Sequence, residues 1–142
     1  MTGNEIFGPF LAMMLLTAIV WAVMYVRRIG FIIENRIDSQ ELTIPEKGAA
    51  IIPEEINWSA YNFRNLFELP VLFYALCLYL YVSGSVDSIY VWSAWAYVAL
   101  RALHSLEHCT RNIVKRRFAV YMLSSIVLWS LFIRAGWQYV AG

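Results

Sequence analysis

Charged side chains are scarce in this chain: they make up 15% of its 142 residues, against 61% hydrophobic. Soluble domains are usually about 45–50% apolar, so a water-soluble globule of this size is excluded. The mean hydropathy of +0.57 points the same way. Residues 8–26, GPFLAMMLLTAIVWAVMYV, carry no charge at all. As a helix they cover about 28 Å, close to the hydrocarbon thickness of a bilayer. A basic segment ahead of that run is missing; Glu5 precedes it, and Arg27 and Arg28 follow it. That layout is the reverse of a cleaved leader, and the run is expected to remain as a membrane helix. Cysteine is almost absent too, with only Cys77 and Cys109. The two are expected at different depths, one near a reducing cytoplasm, which argues against a disulfide between them. Cys77 reads as a small membrane hydrophobe. Cys109, beside Arg111, is a candidate for a lowered thiol pKa but not for catalysis. The net charge of +1, with no basic-aromatic patch, gives no reason to expect a nucleic acid partner.

Three further runs approach the roughly 20 residues that a spanning helix needs. They lie at about 60–83, at about 87–108, and from near Arg117 through residues 118–140. The expectation is one all-α integral membrane four-helix bundle, a single domain over 1–142. One sizeable loop remains, residues 27–57, punctuated by Pro45, Gly48 and Pro53. Basic residues set the orientation. Arg27, Arg28, Arg36 and Lys47 lie in the first loop, and Arg111, Lys115, Arg116 and Arg117 lie between the third and fourth runs. Only Arg134 stands near the opposite ends, so both basic loops are expected in the cytoplasm and both termini outside. Arg134 itself reads either as a snorkelling side chain or as a partner for Asp87. Trp21, Trp92, Trp95, Trp129 and Trp137 read as interface anchors or packing groups.

Against this apolar background two polar stripes stand out. In the second run Tyr61, Asn65, Glu68 and Leu72 follow the helical i, i+4, i+7 rhythm, with Arg64 beside them. Charge at membrane depth costs roughly 2.5–3.5 kcal/mol per residue on insertion scales, so such groups usually face a protein interior. Pro70 is expected to remove the hydrogen bond to the carbonyl of Leu66 and kink this helix beside Glu68. The second stripe is Arg101, His104, His108, Arg111 and Lys115, spaced as one face of a continuing helix. Such a face can bind an anion, ligate a metal or haem through His104 and His108, or carry snorkelling charges. His104, Glu107 and His108 fit the H-x-x-E-H pattern of some zinc peptidases, a three-residue pattern common by chance. A crevice between the stripes would present Arg64, Arg101 and Arg117 to carboxylates. There Glu68 is placed to accept from an ammonium. A small peptide such as glutathione fits that mixture of charges, though not uniquely.

Arg64-Asn65-x-x-Glu68, followed by Pro70 and an apolar run, resembles the second helix of the MAPEG proteins, the membrane-associated proteins of eicosanoid and glutathione metabolism. Arg101-x-x-His104, with Arg117 thirteen residues on, resembles the third helix and fourth-helix start of their microsomal prostaglandin E synthase branch. The resemblance covers nearly the whole chain and implies a bacterial-type member in the inner membrane. It further implies a homotrimer with glutathione as co-substrate at each subunit interface, and transferase or peroxidase chemistry on a lipophilic substrate. By that likeness Arg64, Asn65, Glu68, Arg101, His104 and His108 form the glutathione-binding set, and Arg117 faces the sulfur as catalytic residue. No metal is implied. The rival reading is a non-catalytic membrane subunit or lipid-binding scaffold whose polar seam only specifies assembly.

The sequence also departs from that branch. His108 stands where a tyrosine usually contacts glutathione, and Phe118 follows Arg117 where a serine is expected. Pro70 lies closer to Glu68 than in the eicosanoid enzymes. The first loop has no match for the aspartate used in prostaglandin isomerisation. These differences speak against that one reaction.

Overall fold

The computed structural model describes residues 3–44, 48 and 50–141. Pro45 and Lys47, read above as loop punctuation and as a basic loop residue, lie outside the described residues. Five helices account for most of the chain: α1 (Phe7–Glu34), α2 (Glu54–Asn65), α3 (Leu69–Val82), α4 (Ser88–Cys109) and α5 (Val114–Ala141). Among the described residues there is no strand. Short 3-10 turns precede α1 at Asn4–Ile6 and follow it at Ser39–Leu42.

Three stretches are long and apolar enough to cross a membrane: Asn4–Glu34, Glu54–Val82 and Val114–Ala141. The fourth expected span, α4, has 22 residues, roughly 33 Å, and is long enough. It is the polar member of the set because Arg101, His104, Glu107 and His108 all belong to it. It packs most extensively on α5 and also touches α1 and α2, so its polar face is turned toward protein. The apolar core runs through Met13 and Val20 of α1, Phe73 and Leu80 of α3, Tyr97 of α4 and Leu128 of α5. Phe73 and Tyr97 stack with ring centroids 4.7 Å apart. At the top of α1, a Cβ on Gly8 would come within 3.1 Å of the Trp95 ring, so glycine lets α1 and α4 approach. Large apolar side chains such as Leu15, Val26, Ile33 and Trp92 remain exposed, as suits faces covered by lipid rather than water.

Two helical expectations are corrected. The second span is not one kinked helix. It stops at Asn65 and restarts at Leu69, with Glu68 as the N-cap at φ −94° and ψ −106°. The turn between is held by i to i+3 bonds, from Phe67 N to the Arg64 carbonyl and from Glu68 N to the Asn65 carbonyl. Pro70 therefore sits in the first turn of α3, where its missing N–H would have had no intrahelical partner. Asn65 and Glu68 lie on either side of a break, not along one stripe. The third helix likewise does not continue through Lys115. It ends at Cys109, and Asn112 adopts a left-handed φ of 49°, a conformation asparagine tolerates. Arg111 falls in the turn, while Lys115, Arg116 and Arg117 form the start of α5.

Arg27 donates from Nη1 to the carbonyl of Cys109 at 2.7 Å. That bond joins the end of α1 to the end of α4, so both basic loops lie at one end of the bundle. It also corrects the setting of Cys109, whose neighbours are Arg27 and Asn62 rather than Arg111. Both cysteines are free thiols.

Candidate functional site

The site is built on one face of α4. Tyr97, Arg101, His104 and His108 follow at intervals of four, three and four residues, and all are buried, with Arg101 fully so. A buried guanidinium needs partners, and the break after α2 provides the first. Arg101 Nη2 donates to the side-chain oxygen of Asn65 and, at 3.4 Å, to its backbone carbonyl. Asn65 in turn donates from Nδ2 to the Glu68 carboxylate at 3.0 Å. Arginine, amide and carboxylate thus form a chain. The Asn65 amide stands between Arg101 and Glu68.

From the other side α5 closes the seam. The Arg101 guanidinium lies 5.5 Å from the centre of the Tyr121 ring, within cation–π range. His104 donates from Nδ1 to the Arg117 carbonyl at 3.1 Å; a carbonyl only accepts, so the proton is on Nδ1 and a neutral ring keeps Nε2 as an acceptor. The His104 ring meets Tyr121 at 5.7 Å and stands edge-to-face with His108 at 5.5 Å. Arg117 donates its guanidinium to the Asn112 side-chain oxygen in the turn before α5. Its backbone therefore lies against His104, while its side chain is half-buried at the turn.

Several polar atoms of this face have no hydrogen-bond partner although buried: Arg101 Nε and Nη1, His104 Nε2, His108 Nδ1 and the Tyr97 hydroxyl. Each such atom costs about 1–3 kcal/mol if left so. Their concentration along one helix face marks where further hydrogen-bonding groups belong. The two arginine N–H groups call for an acceptor, and a carboxylate suits their planar fork.

Of the seven expected site residues, Arg101, His104 and His108 come together, Asn65 bridges, and Glu68 is tethered at the edge. Arg64 is exposed on the last turn of α2 and forms no ion pair among the described residues. Arg117 is joined to the cluster through its carbonyl. Tyr97 and Tyr121 are the residues that sequence reasoning missed. Each lies four residues from an expected site residue, Tyr97 before Arg101 and Tyr121 after Arg117, and that helical spacing was the available signal.

Among the described residues no three His, Cys, Asp or Glu side chains are grouped as a metal site requires. Glu107, the middle residue of the zinc-like pattern, has its Oε1 4.0 Å from Arg116 Nη1. One cavity lies away from the polar seam. It is an apolar groove of about 540 Å³ between α3 and α5, lined by Leu72, Leu76, Tyr79, Trp129 and Phe132 among others.

A family model, that of the MAPEG family, matches residues 6–137, nearly the full length of the chain. The chain belongs to the MAPEG family. No curated protein and no solved structure gave a match. Membership joins this all-helical membrane protein to the broad class of glutathione- and eicosanoid-related membrane functions. For a MAPEG protein, a buried arginine–histidine seam edged by Asn65 and Glu68, with an apolar groove elsewhere in the bundle, combines a place for polar groups with one for lipophilic groups.

Proposed function

We propose that this MAPEG protein uses glutathione as co-substrate to modify or reduce a lipophilic electrophile drawn from the membrane. The observation that carries the proposal is the buried face of Arg101, His104 and His108, which keeps unpartnered nitrogens while Arg101 Nη2 is held by Asn65, itself bonded to Glu68. Glutathione has two carboxylates for arginine N–H groups and an ammonium for Glu68. Arg64, Asn65, Glu68, Arg101, His104 and His108 form the binding set. Arg117 is the catalytic residue: released from Asn112, its guanidinium stabilises the thiolate, which is the nucleophilic form of a thiol.

As a transferase, the thiolate sulfur forms a bond to the electrophilic carbon. The electron pair of the broken bond leaves with the departing group or stays on the opened acceptor. As a peroxidase, two thiols give two electrons to a hydroperoxide, yielding a disulfide, an alcohol and water. The groove between α3 and α5 suits the lipophilic partner in either case.

The working unit is proposed as a homotrimer of single four-span domains, each covering 1–142, as the family likeness suggests. An orientation with both termini outside is supported by eight basic residues toward one side of the sequence's spans against Arg134 alone opposite; a bacterial inner membrane follows the family likeness. The test is thiolate ultraviolet absorbance on adding glutathione to the purified protein near neutral pH. A saturable signal lost in Arg117→Ala is expected. No signal from an intact, assembled protein rejects thiol activation and favours the scaffold reading, in which the Arg101–Asn65–Glu68 chain serves assembly alone.

A further inference from the structure

A second cavity, of about 470 Å³, opens where α1 ends, α2 begins and α4 ends. Arg27, Phe31 and Glu34 of α1, Glu55 and Trp58 of α2 and Cys109 of α4 all line it. None of these residues takes part in the thiol chemistry proposed above. Arg27 spends one N–H on the Cys109 carbonyl, which leaves the rest of its five donors. The Trp58 indole N–H is buried without a hydrogen-bond partner. Glu34 and Glu55 are exposed and form no ion pair among the described residues. The cavity thus combines donors that seek an acceptor with two carboxylates that seek a cation.

Its level in the bundle narrows the ligand. Arg27 is the first charge after the uncharged run 8–26, which sets the cavity at the boundary between hydrocarbon and headgroups. On its hydrocarbon side α1 turns Leu15, Ile19 and Val26 outward, with Leu15 61% and Val26 73% exposed. An occupant with both a charged head and long apolar chains uses all of these features at once.

We propose that this cavity is a headgroup site for a bilayer phospholipid bearing a phosphate and a primary ammonium, of the phosphatidylethanolamine type. The N–H groups of Arg27 and Trp58 hold phosphate oxygens, Glu34 and Glu55 accept from the ammonium, and the acyl chains run along Val26, Ile19 and Leu15. A purely anionic phospholipid supplies the phosphate but nothing for the two carboxylates. A free headgroup leaves the apolar strip unused.

The test is native mass spectrometry of the full-length protein released from detergent. The probes are phosphatidylethanolamine, phosphatidylglycerol with the same chains, and glycerophosphoethanolamine. Phosphatidylethanolamine is expected to be retained about tenfold better than phosphatidylglycerol. Trp58→Phe, which keeps the ring and removes the N–H, is expected to lower that retention about tenfold, the value of one hydrogen bond to a charged group. The Glu34→Gln/Glu55→Gln double variant, confined to exposed residues, is expected to erase the preference between the two lipids. Equal or better retention of phosphatidylglycerol overturns the proposal, because the basic boundary alone then explains binding. An unchanged preference in the double variant overturns it as well, whether or not Trp58→Phe folds. Displacement of the lipid by an equal concentration of glycerophosphoethanolamine overturns the bilayer as the source.

Discussion

Arg134 and Arg101 sit toward opposite ends of the α4–α5 pair, and their surroundings differ in kind. Arg134 forms a two-pronged pair with Asp87, the N-cap of α4, and lies 4.2 Å from the centre of the Tyr90 ring. The Tyr90 hydroxyl donates a hydrogen bond to Gln138 Oε1 at 2.6 Å, so the polar groups of that end answer one another. Arg101 is deeper, has a neutral amide for its partner, and keeps two nitrogens without any. A satisfied charge cluster staples helices together. An unsatisfied one stores hydrogen-bonding capacity for something that arrives later. On the function proposed above, the difference separates a structural arginine from a ligand-binding one where both lie in membrane helices.

The largest expected effect comes from replacing Arg101 with methionine. Exchanging a poorly paired buried charge for an apolar side chain of similar length is often neutral or stabilising. Arg101→Met is therefore expected to keep or raise the thermal unfolding temperature in detergent. It is expected to weaken glutathione binding roughly a hundredfold or more, the loss of two charged hydrogen bonds. Isothermal titration beside a melting curve reads both. A variant that unfolds while the remaining folded fraction still binds would remove the distinction drawn between the two arginines.

Next in size is Asn65→Leu, which takes the partner from Arg101 and the tether from Glu68 together. A loss of about 2–3 kcal/mol of stability is expected, since a buried charge is left without its acceptor. Chemical unfolding in mixed micelles checks it. If the proposed trimer dissociates in this variant while Arg101→Met remains assembled and binds glutathione normally, the seam belongs to assembly rather than to ligand binding.

Much of the helical layout could be read from the chain, and the reasons it stopped short are specific. The apolar runs and the spacing of Arg101, His104 and His108 located α4 and its buried face. The break after Asn65 was read as a kink at Pro70, because local sequence marks the proline and not the tertiary bonds that hold the turn. Those bonds run from Arg101, thirty-six residues away, to the Asn65 side chain and carbonyl, beside the local bond from Asn65 to Glu68. The end of α4 was more accessible: an asparagine beyond a helix is a common stop signal, and Asn112 is one. The fixed 3, 4, 3, 4 rhythm of basic residues outweighed it. The pairing of Arg134 with Asp87 was one of two readings open in the sequence, and the interhelical one holds.

The smallest effect belongs to the satisfied end. Hydrogen bonds from Arg134 above all, helped by the Tyr90 backbone N–H, hold the Asp87 carboxyl below its usual pKa. A carboxyl lowered in the folded state adds stability that is fully present above its unfolded pKa, about 4. That contribution is lost as pH falls through the lower folded value. The Asp87 side chain is 39% exposed, so solvent screening limits the pair to about 1 kcal/mol or less. Asp87→Asn is therefore expected to melt slightly below the native protein at pH 7, with the gap closing at acidic pH. Glutathione binding should stay unchanged, because nothing at that end has spare donors to offer. A loss of binding in Asp87→Asn equal to that in Arg101→Met would mean that the two ends of the helix pair act as one unit.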